Sequence, residues 1–210
     1  MIFFLFRHGS SLANEADLVT GTPIDELSAS GLLQAQRMRS WILDSGIQAD
    51  RYYVSHWRRA RQTAEALFKD VCWQEDKRLG ETDAGEVANW SRKDFLKAQP
   101  EFGTDPNLCY PKGESHHALN KRVLRWLGEQ LEDPCDAVAV TAHSGPISCL
   151  IQHVTSINMD YFPTYLPAHC SLSVLDIDPK RASQGRLLGF SIGPVENLPF
   201  FFKTPDKIIK

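Results

Sequence analysis

The sequence predicts an α/β protein, a three-layer α/β/α sandwich with a mostly parallel central sheet. Three observations carry that prediction. Short apolar runs at Ile2–Phe6, Arg51–Ser55 and Asp136–Ala142 read as buried strands, the first and third continuous enough to be covered on both faces. Each run ends in polar residues and gives way to a helical pattern, which argues for parallel βαβ units. The chain has 210 residues, 42% hydrophobic and 23% charged, enough for one domain with a sizeable core.

Taken in order, Ile2-Phe3-Phe4-Leu5-Phe6 is the first strand and runs into Arg7-His8-Gly9. Ser10 to Glu26 is polar and rich in turn residues, hence a long loop, a kind that is usually functional or disordered. Apolar positions 32, 35, 38 and 42 recur at helical spacing, with Ser28 or Ser30 to cap and Gly46 to close. Arg51–Ser55 is the second strand, and a helix follows from Arg59 to Phe68. Glu75 to Trp90 reads as a loop, and Ser91 to Gln99 as a short helix that starts on a serine cap and ends before Pro100. After a loop through Gly113, a helix from Ser115 to Leu131 carries Leu119, Val123, Trp126, Leu127 and Gln130 in register. The third strand follows, then a helix from Ile147 to Val154 with Pro146 near its first turn, where a missing N–H costs little. Ser171–Ile177 and Arg186–Ile192 alternate as a pair of strands, and Phe200–Phe202 in the tail read as packed back onto the core. No repeat or linker breaks the chain, so a single domain over residues 1–210 is the economical reading.

Composition excludes some functions. A net charge of -3 lacks the basic excess of a nucleic-acid binder. The first apolar run is too short for a membrane span or signal segment and is interrupted by Arg7, so a soluble, cytoplasmic protein is expected. The five cysteines are scattered without a C-x-x-C pair, which suggests reduced thiols, several of them core filler.

On its own, Arg7-His8 is either a strand ending in a solvated turn or part of a site. Right-handed crossovers put the three strand C-termini on one sheet edge, where Arg7, His8, Arg59 and His143 would converge. Two guanidinium groups and two imidazoles near helix N-termini suit a compact dianion. The rival use of paired histidines is a metal. No acidic or histidine cluster at ligand spacing accompanies them, and two arginines would repel a divalent cation, so neither metal nor cofactor is expected.

Several motifs add a resemblance. Arg7-His8-Gly9-Ser10-Ser11, with Asn14 beyond, resembles the Arg-His-Gly-x-Thr/Ser signature of the histidine phosphatase superfamily, branch 1, the phosphoglycerate mutase-like group. Leu27-Ser28-x-x-Gly31-x-x-Gln34-Ala35, Ser55-x-x-x-Arg59-Ala60-x-Gln62-Thr63-Ala64, Leu79-x-Glu81, Gly113-Glu114-Ser115 and Val140-x-x-His143-x-Gly145 are similar to its later segments, in the same order. The resemblance implies a phosphoglycerate mutase-like fold and a phosphomonoesterase. His8 would be the nucleophile, and Arg7, Arg59 and His143 the phosphoryl clamp. Asn14 and Ser144 would be further phosphate or substrate contacts, and Glu81 the proton donor. Gly9 would let backbone approach the phosphate. The implied partners are a small phosphorylated substrate and inorganic phosphate as product, with no nucleic acid or membrane; the sequence does not give the oligomeric state.

The chain departs from the family pattern where substrate would be met. His56-Trp57 stands for the family's Pro-Leu, and Gly85-Glu86-Val87-Ala88-Asn89 for its Gly-x-Trp-Glu-Gly, while Asp83 rivals Glu81 as acid. His56 reads as pocket mouth or loop, His169 as pocket lining or structural, and His116-His117 as exposed or beside a cap. A hydrolase is favoured over a mutase because the interval from Glu81 to Gly113 is modest. A phosphoprotein phosphatase and a non-catalytic phosphate-binding module are the other readings.

Overall fold

A computed structural model describes residues 1–102, 105–181 and 185–194. The elements in order are β1 (Ile2–Arg7), α1 (Leu12–Glu15), α2 (Ala29–Ser45), β2 (Arg51–Ser55), α3 (Arg58–Leu67), β3 (Trp73–Asp76), α4 (Arg92–Ala98), α5 (His116–Glu132), β4 (Ala137–Ala142), α6 (Ser144–Val154), β5 (Leu172–Ile177) and β6 (Gly185–Ile192). Short 3₁₀ turns cover Lys77–Leu79, Gly85–Val87 and Met159–Tyr161.

The six strands form one sheet in the order β3-β2-β4-β1-β5-β6. The pairs β3–β2, β2–β4 and β4–β1 are parallel, while β5 runs antiparallel to both β1 and β6. The register sets Arg7 beside Ala142, and Val54 beside Thr141, so the ends of β1, β2 and β4 share one edge. That edge is where the sequence gathers its cations and imidazoles.

Alternation along β1 builds two cores. Phe3 and Leu5 point into one with Leu119, Trp126 and Ile147 of α5 and α6. Phe6 points into the other with Ala35, Met38, Ile42 and Leu67 of α2 and α3. Helices therefore cover both faces, which gives the expected three layers and explains why the central strands lack a polar face. Burying side chains of this size contributes about 1.5–3 kcal/mol each, enough to hold a strand that ends in charged groups.

The helix ends follow their local chemistry. Ser28, rather than Ser30, caps α2 by accepting from Gly31 N–H at 3.1 Å, and Gly46 closes it in the left-handed region at φ 66°. Leu32, read as a core position, is 46% exposed, because the buried stripe runs through Gly31, Ala35, Met38 and Ile42. Ser91 caps α4 as expected, and Ser115, read as the first residue of the next helix, is the N-cap of α5. α6 starts at Ser144, ahead of Ile147, with Pro146 still in its first turn.

Two elements differ from the sequence reading. α1 interrupts the loop after β1, nucleated by a capping box in which Ser11 and Asn14 satisfy each other's backbone N–H groups. β3 straddles the start of the stretch read as loop from Glu75; it is a four-residue edge strand, Trp73-Gln74-Glu75-Asp76, too short to show a period. Beyond β3, Val19, Ala84, Val87, Ala88, Phe95 and Tyr110 form a small core of their own beside the strand ends. The expectation for Phe200–Phe202 lies outside the described residues.

Candidate active site

The floor of the site is built from strand ends. His8 is 2% exposed, and its Nδ1 lies 2.6 Å from the Gly9 carbonyl. A carbonyl only accepts, so Nδ1 carries the proton. Nε2 in turn accepts from Arg59 Nε at 3.1 Å, so it presents a lone pair. Burial above all, then the charges of Arg59, His143 and Arg7, hold this imidazole well below its ordinary pKa. A neutral ring with a defined tautomer is a nucleophile across the physiological range.

Arg59 is 1% exposed, and each of its three nitrogens donates. Beyond His8 it donates to Asp25 Oδ2 at 3.1 Å and to the Thr20 carbonyl at 2.9 Å, and its guanidinium lies 4.5 Å from the Trp57 ring. Arg7 donates to the Pro167 carbonyl at 2.6 Å and to His169 Nε2 at 2.8 Å. Burial lowers both arginines to about 10, partly offset by the Glu81 carboxylate, so each keeps its charge at neutral pH.

His143 is the N-cap residue of α6, its ring 4.9 Å from that of His8 and 5.1 Å from that of Trp57. Its Nε2 is 2.8 Å from the Ser55 hydroxyl, which already accepts from Trp57 N–H. With one lone pair so engaged, the hydroxyl can donate its proton to Nε2, and in that arrangement the ring proton sits on Nδ1. Burial is the main cause that holds this ring, too, well below its ordinary pKa. His143 Nδ1 and Arg7 Nε are both buried without a hydrogen-bond partner. Arg7 lines the cavity and the His143 ring adjoins that of His8, so an oxyanion bound there is one partner for such unsatisfied nitrogens.

Glu81 flanks the floor at 8% exposure. One oxygen accepts from Thr82 N–H at 2.8 Å, the other from the Ser144 hydroxyl at 3.1 Å and Gly145 N–H at 3.3 Å. A Cβ on Gly145 would collide with Glu81 Oε1, so this glycine is required for the carboxylate to sit there. Above the floor opens a cavity of about 290 Å³ whose lining includes Arg7, His8, Asn14, Arg59, Glu81 and Ser144.

The model of the histidine phosphatase superfamily, branch 1, matches residues 3–187. The chain belongs to that superfamily. It is 32% identical over 181 residues to rat 6-phosphofructo-2-kinase/fructose-2,6-bisphosphatase 1, a match covering 83% of this chain. The chain spans 37% of the length of that relative. The alpha-ribazole phosphatase of Shigella flexneri superposes with a TM-score of 0.81 at 24% identity, over 94% of this chain and 100% of that one. A mycobacterial glucosyl-3-phosphoglycerate phosphatase superposes at 0.80 and 22% identity, over 90% and 98% of the two chains. The sandwich is thus the phosphoglycerate mutase-like fold of this histidine phosphatase superfamily.

Within this member, the residues expected at the site divide cleanly. Arg7, His8, Asn14, Arg59, Glu81 and Ser144 line the cavity, and His143, outside the lining, has its ring against that of His8. Asn14 Oδ1 is taken by Ser11 N–H at 3.1 Å and the Ser11 hydroxyl at 2.9 Å, so its amide NH₂ is what it can offer a ligand. Asp83 is exposed, absent from the lining, and accepts from Gly85 N–H at 2.9 Å. Gly9 also serves the packing of α2, since a Cβ there would meet the Gly31 carbonyl.

Arg58 and Arg61 are surface partners of Glu26 and Glu75. His56 packs against Gly80 outside the cavity, and His169 holds Arg7 from behind. His116 is half-buried in the cavity wall, one residue after the Ser115 cap. Sequence reasoning missed Asp25, Thr20 and most of the wall, including Arg92, Phe95, Phe102, Tyr110 and Phe162. Among the described residues no cluster of three or more His, Cys, Asp or Glu could hold a metal, and no helix is long and apolar enough to cross a membrane.

Proposed function

We propose that this protein is a phosphomonoesterase that hydrolyses a small phosphorylated substrate through a phosphohistidine on His8. The observation that carries the reading is the tautomer of His8: Nδ1–H bonds Gly9, and Nε2 offers a lone pair at the cavity floor. In the first step Nε2 attacks phosphorus and the bond to the leaving oxygen breaks. Glu81 takes up the proton that a monoester monoanion brings and delivers it to that oxygen, and the alcohol departs. Arg59 exchanges its bond to Nε2 for phosphoryl oxygens. Arg7 Nε and His143 Nδ1–H, the orphaned donors, take the others and stabilise charge in the transition state. In the second step the Glu81 carboxylate removes a proton from water, the oxygen attacks phosphorus, and inorganic phosphate leaves with the Nε2 lone pair restored.

Asn14 and Ser144, both in the cavity lining, complete the substrate contacts, and Asp83, turned to solvent, has no part. No step calls on a metal or cofactor. The phosphatases among the relatives and solved neighbours support a phosphorylated metabolite as substrate. The test is hydrolysis of an aryl phosphate by wild type and His8→Ala. The substitution is expected to lower kcat by at least about 10³-fold, as for other covalent catalysts, and EDTA to leave the wild-type rate unchanged. Full activity in His8→Ala would refute the reading.

A further inference from the structure

We infer that the wall above the phosphate floor is a chamber for a flat, apolar leaving group, so that the preferred substrate is a monoester of an aryl or arylalkyl alcohol rather than a bisphosphate or a phosphorylated acid. The inference rests on the proposed reading of the floor as a phosphate site and specifies what lies beyond the scissile oxygen.

The wall is aromatic and comes from three separate segments. Phe95 on α4, Phe102 after it and Tyr110 form one group, with ring centroids 5.0 Å apart for Phe95–Phe102 and 4.1 Å for Phe102–Tyr110. His116 at the start of α5 lies 5.8 Å from Phe102 and 4.7 Å from Phe162, joining that group to the segment before β5. Leu166, 60% exposed, stands on the rim. These rings pack on one another and line the cavity, so an aromatic ring bound there gains edge and face contacts beyond its area burial.

Charge argues the same way. Among the described lining residues the one cationic side chain besides Arg7 and Arg59 is that of Arg92, whose Nε donates to Asp17 Oδ1 at 2.9 Å. Arg92 and Asp17 are both well exposed, so solvent screens what attraction is left. A second phosphate or a carboxylate would meet there one exposed guanidinium, already shared with Asp17 and screened by solvent, beside aromatic rings that strip its hydration without replacing it. A hydrocarbon ring loses nothing there.

Leaving-group reactivity has to be held constant, since phenols leave more easily than alcohols. The test therefore compares 3-phenylpropyl phosphate with propyl phosphate and 3-phosphoglycerate on the full chain. Wild type is expected to favour the phenyl ester over propyl phosphate by at least about tenfold in kcat/KM, or about 1.4 kcal/mol. It should turn over 3-phosphoglycerate no better than propyl phosphate. Phe102→Ser, at a half-buried position, should bring the phenyl-to-propyl ratio within about threefold. Equal rates for the two esters, or a tenfold preference for 3-phosphoglycerate, would overturn the chamber. Binding of the non-hydrolysable 3-phenylpropyl- and propylphosphonates, read by calorimetry, separates the two claims. A tenfold Kd ratio without turnover of any ester supports the chamber and refutes the phosphatase reading. A ratio near one overturns the chamber whatever the turnover.

Discussion

The floor and the wall of this cavity are built on opposite principles. Floor groups are buried, polar and mutually committed: Arg59 alone serves His8, Asp25 and Thr20. Wall groups, Arg92 apart, are mostly rings packed on other rings, and the rim, at Leu96 and Leu166, is 48% and 60% exposed. The floor stands at the ends of β1, β2 and β4, whose register the sheet fixes; the wall stands on α4 and on loops with a small core of their own. The difference teaches that a pocket can separate the chemistry, which tolerates no displacement, from recognition, which can be rebuilt without touching the sheet.

The comparison breaks most visibly at Arg59. Arg59→Ala should lower kcat/KM on every phosphate ester by about 10²–10³-fold, as loss of a charge-stabilising donor does elsewhere. A wall substitution should change the ranking of substrates by about tenfold at most. Steady-state kinetics on one aryl and one alkyl ester check both. An Arg59→Ala effect confined to one ester would show that the floor also selects substrate.

Gly145→Ala tests the acid without removing it. The added Cβ collides with Glu81 Oε1 and displaces the carboxylate. Proton donation matters most when the leaving group is a poor one, so the rate on an alkyl phosphate should fall by about 10²-fold. The rate on a nitrophenyl ester should fall by less than about tenfold. Equal losses on both esters would mean that Gly145 acts on binding and not on protonation.

pH gives a smaller and more distributed effect. Burial holds His8 and His143 well below the ordinary value, and holds His169 at about 3. Below about pH 6.5 the unfolded chain takes up protons that these rings refuse in the fold, so stability is full above that pH and falls as pH drops. Each ring that stays neutral contributes a slope of about 1.4 kcal/mol per pH unit. Urea denaturation between pH 7 and pH 4 measures it, and His169→Gln should make the slope shallower by one such step. An unchanged slope would show that His169 is already charged in the folded protein.

The same contrast explains what was legible in the sequence. Arg7, His8, Arg59 and His143 could be read because each follows a short apolar run, and parallel topology carries such residues to one edge. Glu81 needed the family resemblance, since nothing local distinguishes it from Asp83; the distinction is orientation, one side chain toward the cavity and the other toward solvent. The wall could not be read. Phe95, Tyr110 and Phe162 are core-like by composition, and only the packing of separate segments turns them toward one space. α1 left a signal, the Ser11/Asn14 capping box, masked by the assignment of Asn14 to phosphate. β3 left none, being four largely polar residues on an edge.

The most direct test of the account is where the phosphoryl group rests during turnover. The protein is mixed with an aryl phosphate, quenched in alkali within the first turnovers, and analysed by phosphorus NMR and peptide mass spectrometry. With Nδ1 protonated toward Gly9 and Nε2 facing the floor, phosphorus is expected on Nε2 of His8 and nowhere else. Phosphorus on Nδ1 or on another residue, or full turnover with no phosphohistidine at all, would contradict it.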